Sequence, residues 1–367
     1  MGNYREMIHS FIGSTDARIL EIGPLNRPLI KREQYPNVLY CDIRSTAEVK
    51  ALYADDDYLK VTNISIPIED IVGVDVVLKD SYEKTFSSLP KFDYIVASHV
   101  LEHVEDLLFF LQDVSKVLAE GGKLIIYYPD KRYCFDHFRS EASFRDAYDV
   151  YKKGRGALSR MVLDFFLTAI NENAEIVFWN AADMQMMLPN NDKEKAFDLY
   201  ERSNKGEFID DVHYWPFSDA GFLKFIYDAV RTDFIRLNCH DFCPTQQNTQ
   251  EFLVVLGKND DEWNKEAELL SLRDKYAAVA NRYYNTQSVV SRFEIKELEA
   301  ETKRLNSVIS IKEQQIIAME RDIQVLNAQI SEREERIKCV VTDYENSKSW
   351  RITRPFRAIV RLIKRRH

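Results

Sequence analysis

Glycine and proline divide this chain into two parts of different character. They recur from the N-terminus to Gly257, and neither occurs again before Pro355. A stretch of this length without turn-forming residues predicts one long helix or a few. We therefore expect a globular domain over residues 1–258, a helical segment over 259–345 and a separate tail over 346–367.

Short β-prone runs alternate with helical patterns in the first domain. The predicted strands are Arg18–Ile22, Asn37–Asp42, Val74–Leu78, Phe92–Ser98, Lys123–Tyr128, Phe234–Asn238 and Phe252–Gly257. Helices are predicted at Glu102–Ala119 and Ser218–Val230, and a helical insert at about residues 130–217. This succession predicts an α/β fold with a doubly wound, mostly parallel seven-stranded sheet.

Charge and composition exclude several classes of protein. The net charge is −9, although residues 348–367 carry eight Lys or Arg and no acid. An acidic body argues against a general nucleic-acid binder, which needs a basic face for phosphates. The chain has no apolar run long enough to span a membrane and no secretory signal, and its five cysteines are scattered. These features predict a cytoplasmic protein.

The helical segment contains a heptad repeat. Isoleucine or threonine recurs every seven residues from Ile295 to Ile337, and Leu298, Leu305 and Leu326 occupy the second apolar position. Isoleucine at one position and leucine at the other favours a parallel two-stranded coiled coil. We expect a homodimer; the alternative is a helix folded back on the globular domain.

The tail has the pattern of a short amphipathic helix. Phe356, Ile359, Val360 and Ile363 share one face, and basic residues surround it. This pattern is typical of a helix lying on an anionic membrane surface. The alternative is a solvated basic tail. We expect peripheral association with the inner face of the cytoplasmic membrane.

Acidic residues and a glycine lie where a ligand should bind in such a sheet. Ligands bind at the carboxyl ends of parallel strands; the first strand runs into Glu21 and Gly23, and the second ends at Asp42. The Gly-x-Gly-x-x-Gly pattern of dinucleotide sites is absent, since Pro24 follows Gly23. An acid at Glu21 would repel a pyrophosphate but accept a hydrogen bond from an ammonium. The residues favour a zwitterionic cofactor.

Several segments in order resemble the class I S-adenosylmethionine-dependent methyltransferases. They are Leu20-Glu21-Ile22-Gly23, Asp42, Phe92-Asp93-Tyr94, Leu101-Glu102-His103 and Leu118-x-x-Gly121-Gly122. The resemblance covers about residues 15–258. It implies S-adenosylmethionine as cofactor, with its methionine end at Glu21 and Gly23 and its ribose at Asp42. It also implies that Asp80 lies near the adenine and that Ser98 and His99 border the cofactor. Pro24 departs from the glycine that many members have.

The loop after the fifth strand is predicted to face the acceptor. It concentrates Asp130, Arg132, His137 and Arg139 among aromatic residues, a mixture that suits a saccharide. The alternative is a structural loop with ordinary ion pairs.

Methyl transfer to a hydroxyl requires a base, for which histidine is suited because its pKa lies near neutrality. The candidates are His99, His103 and His137, and His213 could also reach the site. His103 alternatively packs at the start of the next helix.

No metal site is predicted: Cys239-His240-x-x-Cys243 is interpreted as two isolated core cysteines, because it lacks a second ligand pair.

The C-terminus carries a second resemblance. Ser347 to Arg357 is similar to the S-x-SWR-x-T-x-P-x-R tail of bacterial surface-polysaccharide glycosyltransferases and methyltransferases. The resemblance implies a cell-surface glycan or lipid-linked precursor, of O-antigen or capsule type, as acceptor. Two alternatives stay open: a non-catalytic scaffold that recruits glycan-assembly enzymes through the coiled coil, and a nicotinamide-dependent sugar oxidoreductase.

Overall fold

The computed structural model describes residues 4–55, 66–170, 192–284 and 292–364. Part of the predicted insert, residues 171–191, lies outside these ranges, as do Arg365 and Arg366 of the basic tail.

A seven-stranded sheet forms the centre of the first part of the chain. Its strands are β1 (Ile19–Ile22), β2 (Val38–Asp42), β3 (Val76–Val77), β4 (Phe92–Ser98), β5 (Leu118–Pro129), β6 (Asn238–Cys243) and β7 (Glu251–Gly257). The strand order is β3-β2-β1-β4-β5-β7-β6. Strands β1 to β5 are parallel, and β7 is antiparallel to both β5 and β6. The expected mostly parallel, seven-stranded α/β fold is confirmed.

Helices precede, connect and follow the strands. They are α1 (Tyr4–Phe11), α2 (Thr46–Tyr53), α3 (Tyr82–Thr85), α4 (Leu107–Val117), α5 (Phe144–Lys153), α6 (Ser159–Thr168), α7 (Lys193–Asn204), α8 (Asp219–Arg231), α9 (Lys265–Tyr284), α10 (Arg292–Asn346) and α11 (Lys348–Lys364). Short 3₁₀ turns occur at Ile68–Asp70, Leu101–His103 and Arg155–Leu158. The predicted helix over 102–119 is therefore two elements. Asp106 separates them, because its side chain caps α4 by accepting from the amide of Phe109 at 2.9 Å.

Two strand predictions were wrong in their bounds. Strand β5 begins at Leu118, five residues early, so Gly121 and Gly122 lie inside the strand. The last predicted strand before β7, at Phe234–Asn238, is displaced to Asn238–Cys243. Phe234 instead packs its ring against Phe144 and neighbouring tyrosines of α5. Apolar packing on a helix thus gave the same sequence signal as a buried strand.

The core lies on both faces of the sheet. Alternate residues of the central strands pack on opposite faces and are almost fully buried, including Leu20, Ile95, Val96, Leu124 and Ile125. These strands therefore read as continuous apolar runs, as expected when helices cover both faces.

The chain divides into two compact units, Met1–Ser288 and Val289–His367. The boundary is thus later than the expected division near residue 258, because α9 packs on the first unit. Leu272 and Tyr276 are buried there, and Glu268 accepts a hydrogen bond from the amide of Cys239 in β6 at 2.8 Å.

The second unit consists of α10 and α11. The helical prediction for 295–345 is confirmed. Four isoleucines at the heptad positions are more than half exposed, namely Ile316, Ile323, Ile330 and Ile337. Within the described residues, no helix is long and apolar enough to cross a membrane.

Candidate active site

The strand order reverses between β1 and β4, and the carboxyl ends of the strands meet there. Ile22, the last residue of β1, lies opposite Cys41 on one side and Ala97 on the other. Gly23, Asp42 and Ser98 are therefore neighbours at one edge of the sheet. Ligands bind at this position in open parallel sheets. The structure thus brings together three residues predicted to contact the cofactor.

The turn after β1 is tightly held. Gly23 has a φ of +64°, and its amide donates to the carbonyl of Cys41 at 2.9 Å. A Cβ atom at Gly23 would lie 3.2 Å from Cγ2 of Val100, in the turn after β4. The two turns are in close approach, which a glycine permits.

The side chain of Glu21, in β1, fixes the loop that follows this turn. Its side chain is 3% exposed. Oε1 accepts from the amide of Leu29 at 2.7 Å, and Oε2 accepts from the amide of Ile30 at 2.9 Å. The sequence suggested direct contact with a methionine ammonium, whereas both oxygens hold the backbone of the loop. Its contribution to a cofactor site is to fix the shape of residues 23–30.

Asp42 and Asp80 occupy different surroundings at this edge. Burial raises the pKa of Asp42, although hydrogen bonding from the amide of Arg44 at 3.0 Å opposes this. Asp80 follows β3, is exposed, and pairs with Lys84 at 3.1 Å. The hydrogen bond from the amide of Ser81 and the pairing with Lys84 lower the pKa of Asp80. Of the two, Asp42 is the partly buried carboxylate that a ligand could use.

His99 follows Ser98 in a strained conformation. Its φ of +52° is uncommon for a residue with a side chain. Nε2 donates to Oε1 of Glu251 at 3.0 Å, and Nδ1 lies 3.5 Å from Oε1 of Glu102. Desolvation alone would lower the pKa of His99, but the two carboxylates raise it to about 10. His99 is therefore an imidazolium at neutral pH and holds its proton.

A buried polar cluster lies beside His99. Glu102 and His103 belong to the 3₁₀ turn after β4, and His213 comes from the insert. One possible ligand atom from each side chain lies within 4.8 Å of the others. Burial and the neighbouring His213 lower the pKa of His103 to about 4, so His103 is neutral at pH 7.

Asp136 supports the cluster from the insert. Its Oδ2 accepts from Nδ1 of His213 at 2.6 Å, and its Oδ1 accepts from Arg139 at 2.9 Å. Burial alone would lower the pKa of His213, but the Asp136 carboxylate raises it. Burial alone would raise the pKa of Asp136, but His213 and Arg139 hold it well below its usual range.

The loop after β5 departs from its predicted role in contacting an acceptor. Asp130 is fully buried and accepts from Nε of Arg132 at 2.8 Å, and Arg132 also pairs with Asp219 at 2.6 Å. Arg139 is 3% exposed and pairs with Asp136 and Asp164. These ion pairs take Asp130 and Arg139 out of reach of an acceptor, so the alternative of a structural loop fits them better.

His137 remains nearer the surface than these residues. It is partly buried, its Nδ1 donates to the carbonyl of Arg132 at 2.7 Å, and its ring contacts the exposed ring of Phe138.

Two carboxylates at this edge escaped the sequence analysis. Glu251 begins β7, and it reaches the site because β7 is antiparallel and starts opposite Pro129, where β5 ends. Asp211 has a φ of +55°, and burial raises its pKa to about 6. Its neighbour Asp210 pairs with Arg44 at 2.5 Å, which ties the insert to the turn after β2. In the sequence, the only feature that could have marked this segment as part of the site is the pair of adjacent aspartates, Asp210 and Asp211, that precedes His213.

Solved structures with similar folds include several methyltransferases. The mitomycin 7-O-methyltransferase MmcR is 10% identical with a TM-score of 0.32. The alignment covers 69% of this chain and 52% of MmcR. The CurJ carbon methyltransferase is 14% identical with a TM-score of 0.32, covering 69% of this chain and 51% of that one. This chain thus spans about half the length of both.

A TehB-like SAM-dependent methyltransferase from Corynebacterium glutamicum is 12% identical with a TM-score of 0.30. The alignment covers 70% of this chain and 86% of that one. Likeness at this level carries no information on activity or substrate. No curated protein matches the chain.

The family comparison is more specific. Residues 4–187, which are half of the chain, match a family model described as a methyltransferase domain. The matched region includes β1 to β5 and therefore the whole parallel edge at which Gly23, Asp42 and Ser98 meet. This match supports S-adenosylmethionine as the cofactor. The chain belongs to the methyltransferase-domain family.

Proposed function

We propose that this protein is an S-adenosylmethionine-dependent O-methyltransferase that acts on a saccharide in bacterial surface-glycan biosynthesis. The observation that carries the activity is the meeting of Gly23, Asp42 and Ser98 at the carboxyl edge, within the part of the chain that matches the family. The saccharide class rests on the resemblance of residues 347–357 to the tails of surface-polysaccharide enzymes. In this proposal Asp42 binds the ribose hydroxyls, and Glu21 holds the loop that receives the methionine end.

The reaction moves a methyl group from sulfur to oxygen. The acceptor oxygen forms a bond to the methyl carbon as the bond from carbon to sulfur breaks, and the hydroxyl proton passes to a base. His99, with a pKa of about 10, is already protonated. Asp211 lies in the segment of the insert that the ion pair between Asp210 and Arg44 ties to the turn after β2, the strand that ends at Asp42. We assign the proton acceptor to Asp211.

Binding of the cofactor tests the proposal directly. Calorimetric titration of the full chain with S-adenosylmethionine is expected to show one site per chain. Asp42→Asn should weaken binding at least tenfold because a ribose hydroxyl loses its charged acceptor, about 1.4 kcal/mol or more. Asp274→Asn, at an exposed position of α9, is the matched control and should bind normally. A folded wild-type sample that binds no S-adenosylmethionine would remove the proposal.

The acceptor and the base need an activity measurement. Labelled S-adenosylmethionine incubated with fractionated cell-envelope glycans should transfer label to a saccharide fraction. Asp211→Asn should abolish transfer and leave cofactor binding intact, since Asp211 acts on the acceptor side. Label found only in protein or lipid fractions without sugar would overturn the acceptor class.

We further propose that α10 pairs with a second copy in a parallel coiled coil. The exposed side chains Ile316, Ile323 and Ile330 recur every seven residues along a helix that runs unbroken from Arg292 to Asn346. A row of this kind exposed to water along a long helix is the seam of a two-stranded coil.

Two substitutions separate the seam from the rest of α10. Light scattering of the wild-type chain should give a dimer mass. Ile323→Asp should shift it toward the monomer, because the carboxylate would be buried at the seam. Val325→Asp, of similar exposure but outside the two apolar heptad positions occupied by Ile323 and Leu326, should leave the dimer intact. A monomeric wild type, or equal effects of both variants, would contradict the coil.

We also propose that α11 binds anionic membranes. Ile352 and Phe356 are each more than 70% exposed and lie four residues apart, so they share one helix face, and Arg351, Arg354 and Arg357 accompany them. The full chain should sediment with vesicles containing phosphatidylglycerol and not with neutral ones. Replacing Ile352 and Phe356 together by serine should reduce this, and unchanged sedimentation would contradict membrane insertion of the apolar face.

A further inference from the structure

The cluster beside His99 has the composition of a metal site. Glu102 and His103 are adjacent in the turn after β4, and His213 is brought to them by the insert. Two hydrogen bonds hold the segment around His213 against the turn after β4. The amide of Tyr214 donates to the carbonyl of Glu102 at 2.7 Å, and the indole of Trp215 donates to the carbonyl of Val104 at 2.5 Å. One carboxylate and two imidazoles therefore converge from two separate segments.

Glu102 is a buried carboxylate without hydrogen bonds. Its side chain is 1% exposed, and neither oxygen accepts a hydrogen bond from any residue in the described parts of the chain. Nδ1 of His99 lies 3.5 Å from Oε1 of Glu102 without forming a hydrogen bond to it. Burying a carboxylate in this way is costly unless another group compensates it. With an imidazolium near only one of its oxygens, and no hydrogen bond to either from the described residues, Glu102 is suited to coordinate a cation.

Nδ1 of each imidazole is engaged with an oxygen atom. A carbonyl oxygen and a carboxylate can only accept hydrogen bonds. Nδ1 of His103 therefore donates to the carbonyl of Val212 at 3.2 Å, and Nδ1 of His213 donates to Asp136 at 2.6 Å. With Nδ1 serving as the donor, Nε2 of each ring is the nitrogen that can offer a lone pair. Metal-binding histidines are characteristically held by such partners.

We propose that Glu102, His103 and His213 bind a divalent metal ion, with Asp136 as a positioning residue for His213. Two imidazoles and one carboxylate suit Zn²⁺, Fe²⁺ or Co²⁺, whereas Mg²⁺ and Ca²⁺ prefer oxygen ligands. The three ligand atoms all lie within 4.8 Å of one another, which is close enough for one ion with bonds of about 2.1 Å to be reached by small side-chain movements. Three protein ligands leave a coordination position open.

The open position gives the metal a part in catalysis, which rests on the proposed function. A bound acceptor hydroxyl would be polarised by the metal and made more acidic. The hydroxyl proton would pass to the base on the acceptor side, the oxygen would form its bond to the methyl carbon, and the thioether would leave with the electron pair of the broken bond. In this arrangement His103 is a ligand and not the base.

Metal binding by the full-length protein tests the site without cofactor or acceptor. After treatment with a chelator and dialysis, equilibrium dialysis against Zn²⁺ should recover one ion per chain. Co²⁺ should give visible absorption bands that report nitrogen and oxygen ligands. Mg²⁺ at the same concentration should bind much more weakly.

Three variants locate the ion. Glu102→Gln and His103→Ala should each weaken Zn²⁺ binding by more than the roughly 10–100-fold that loss of a supporting residue costs. His240→Ala, at an exposed position of β6, is the control and should bind as the wild type does. Circular dichroism of the metal-free variants establishes that they are folded.

The outcomes are distinguishable from those for the proposed function. A wild type that binds neither Zn²⁺ nor Co²⁺ overturns the metal site, whatever the variants do. Equal loss of binding in His240→Ala also overturns it, because the ion would then lie elsewhere. A protein that binds S-adenosylmethionine but no metal keeps the methyltransferase assignment and loses only this inference. A protein that binds metal but no S-adenosylmethionine keeps the metal site and loses the methyltransferase assignment.

Discussion

Two glutamates are buried at the same edge of the sheet and differ in how their charges are met. Glu21, in β1, accepts a hydrogen bond from a backbone amide at each of its oxygens. Glu102, after β4, has no hydrogen bond to either oxygen from the described residues. The first carboxylate is satisfied by its own loop and so acts as a structural anchor. The second depends on neighbouring imidazoles, and it is the one suited to a ligand.

Glu21→Gln should have the largest effect on stability. The amide nitrogen of glutamine would face one of the two backbone N–H groups, leaving a buried donor unpaired and weakening the other bond. We expect a loss of about 3 kcal/mol in the free energy of unfolding, measured by urea denaturation, together with weaker cofactor binding. Glu33→Gln, at an exposed position, is the control. A loss below 1 kcal/mol would show that the loop does not depend on this carboxylate.

Asp211→Asn should stabilise the protein in a pH-dependent way. Burial raises the pKa of Asp211 from 3.8 to about 6, so the folded state holds its proton more tightly than the unfolded state. The contribution of this group to stability is present below about pH 4 and is lost as the pH rises through 6.

The size of that effect follows from the pKa difference. About two pKa units correspond to roughly 3 kcal/mol, and contact with water reduces this to about 2 kcal/mol. The Asp211→Asn variant should therefore be more stable than the wild type above pH 6 and equally stable near pH 4. Urea denaturation of both proteins above pH 6 and near pH 4 measures the difference. A variant that is destabilised at pH 7 would contradict the assigned environment.

Gly23→Ala probes the contact between the two turns. A side chain at a φ of +64° is strained, and its Cβ would press on Val100 at 3.2 Å. We expect a loss of about 1.5 kcal/mol in chemical denaturation. Gly73→Ala, where no atom lies within 4 Å of the added Cβ and φ is not positive, should show no such loss. Equal effects of the two substitutions would mean that the turn can relax.

Glu102→Gln should have the smallest effect on stability, in contrast to the same change at Glu21. Because no hydrogen bond is lost, and because the ion pair with His99 is partly exposed, we expect a change below about 1 kcal/mol in metal-free protein. The pKa of His99 should fall from about 10 toward its usual value, as measured by NMR titration of the imidazole. Glu105→Gln, which removes a partner of Arg155, should leave the pKa of His99 unchanged.

The positions of the residues at the carboxyl edge of the sheet could be predicted from the sequence better than the role of the loop after β5. The strand ends at Gly23, Asp42 and Ser98 follow from apolar runs that stop at polar residues, and parallel strands align such ends without further information. Asp130 and Arg139 were misjudged because a charged loop looks the same in sequence whether its charges face water or each other. Arg132, the partner of Asp130, also pairs with Asp219, and Arg139 pairs with Asp164; both of these aspartates are distant in the chain.

The alternation of strands and helices, the edge of the sheet that faces a ligand and the long heptad helix can all be predicted from the amino-acid sequence alone. These depend on local periodicity and turn residues, which act between near neighbours. Which carboxylates find hydrogen-bond or ion-pair partners depends instead on how distant segments fold together. Glu251 reaches His99 across an antiparallel strand, and His213 reaches Glu102 through the insert, because burial and long-range packing place charges together over separations that no local pattern records.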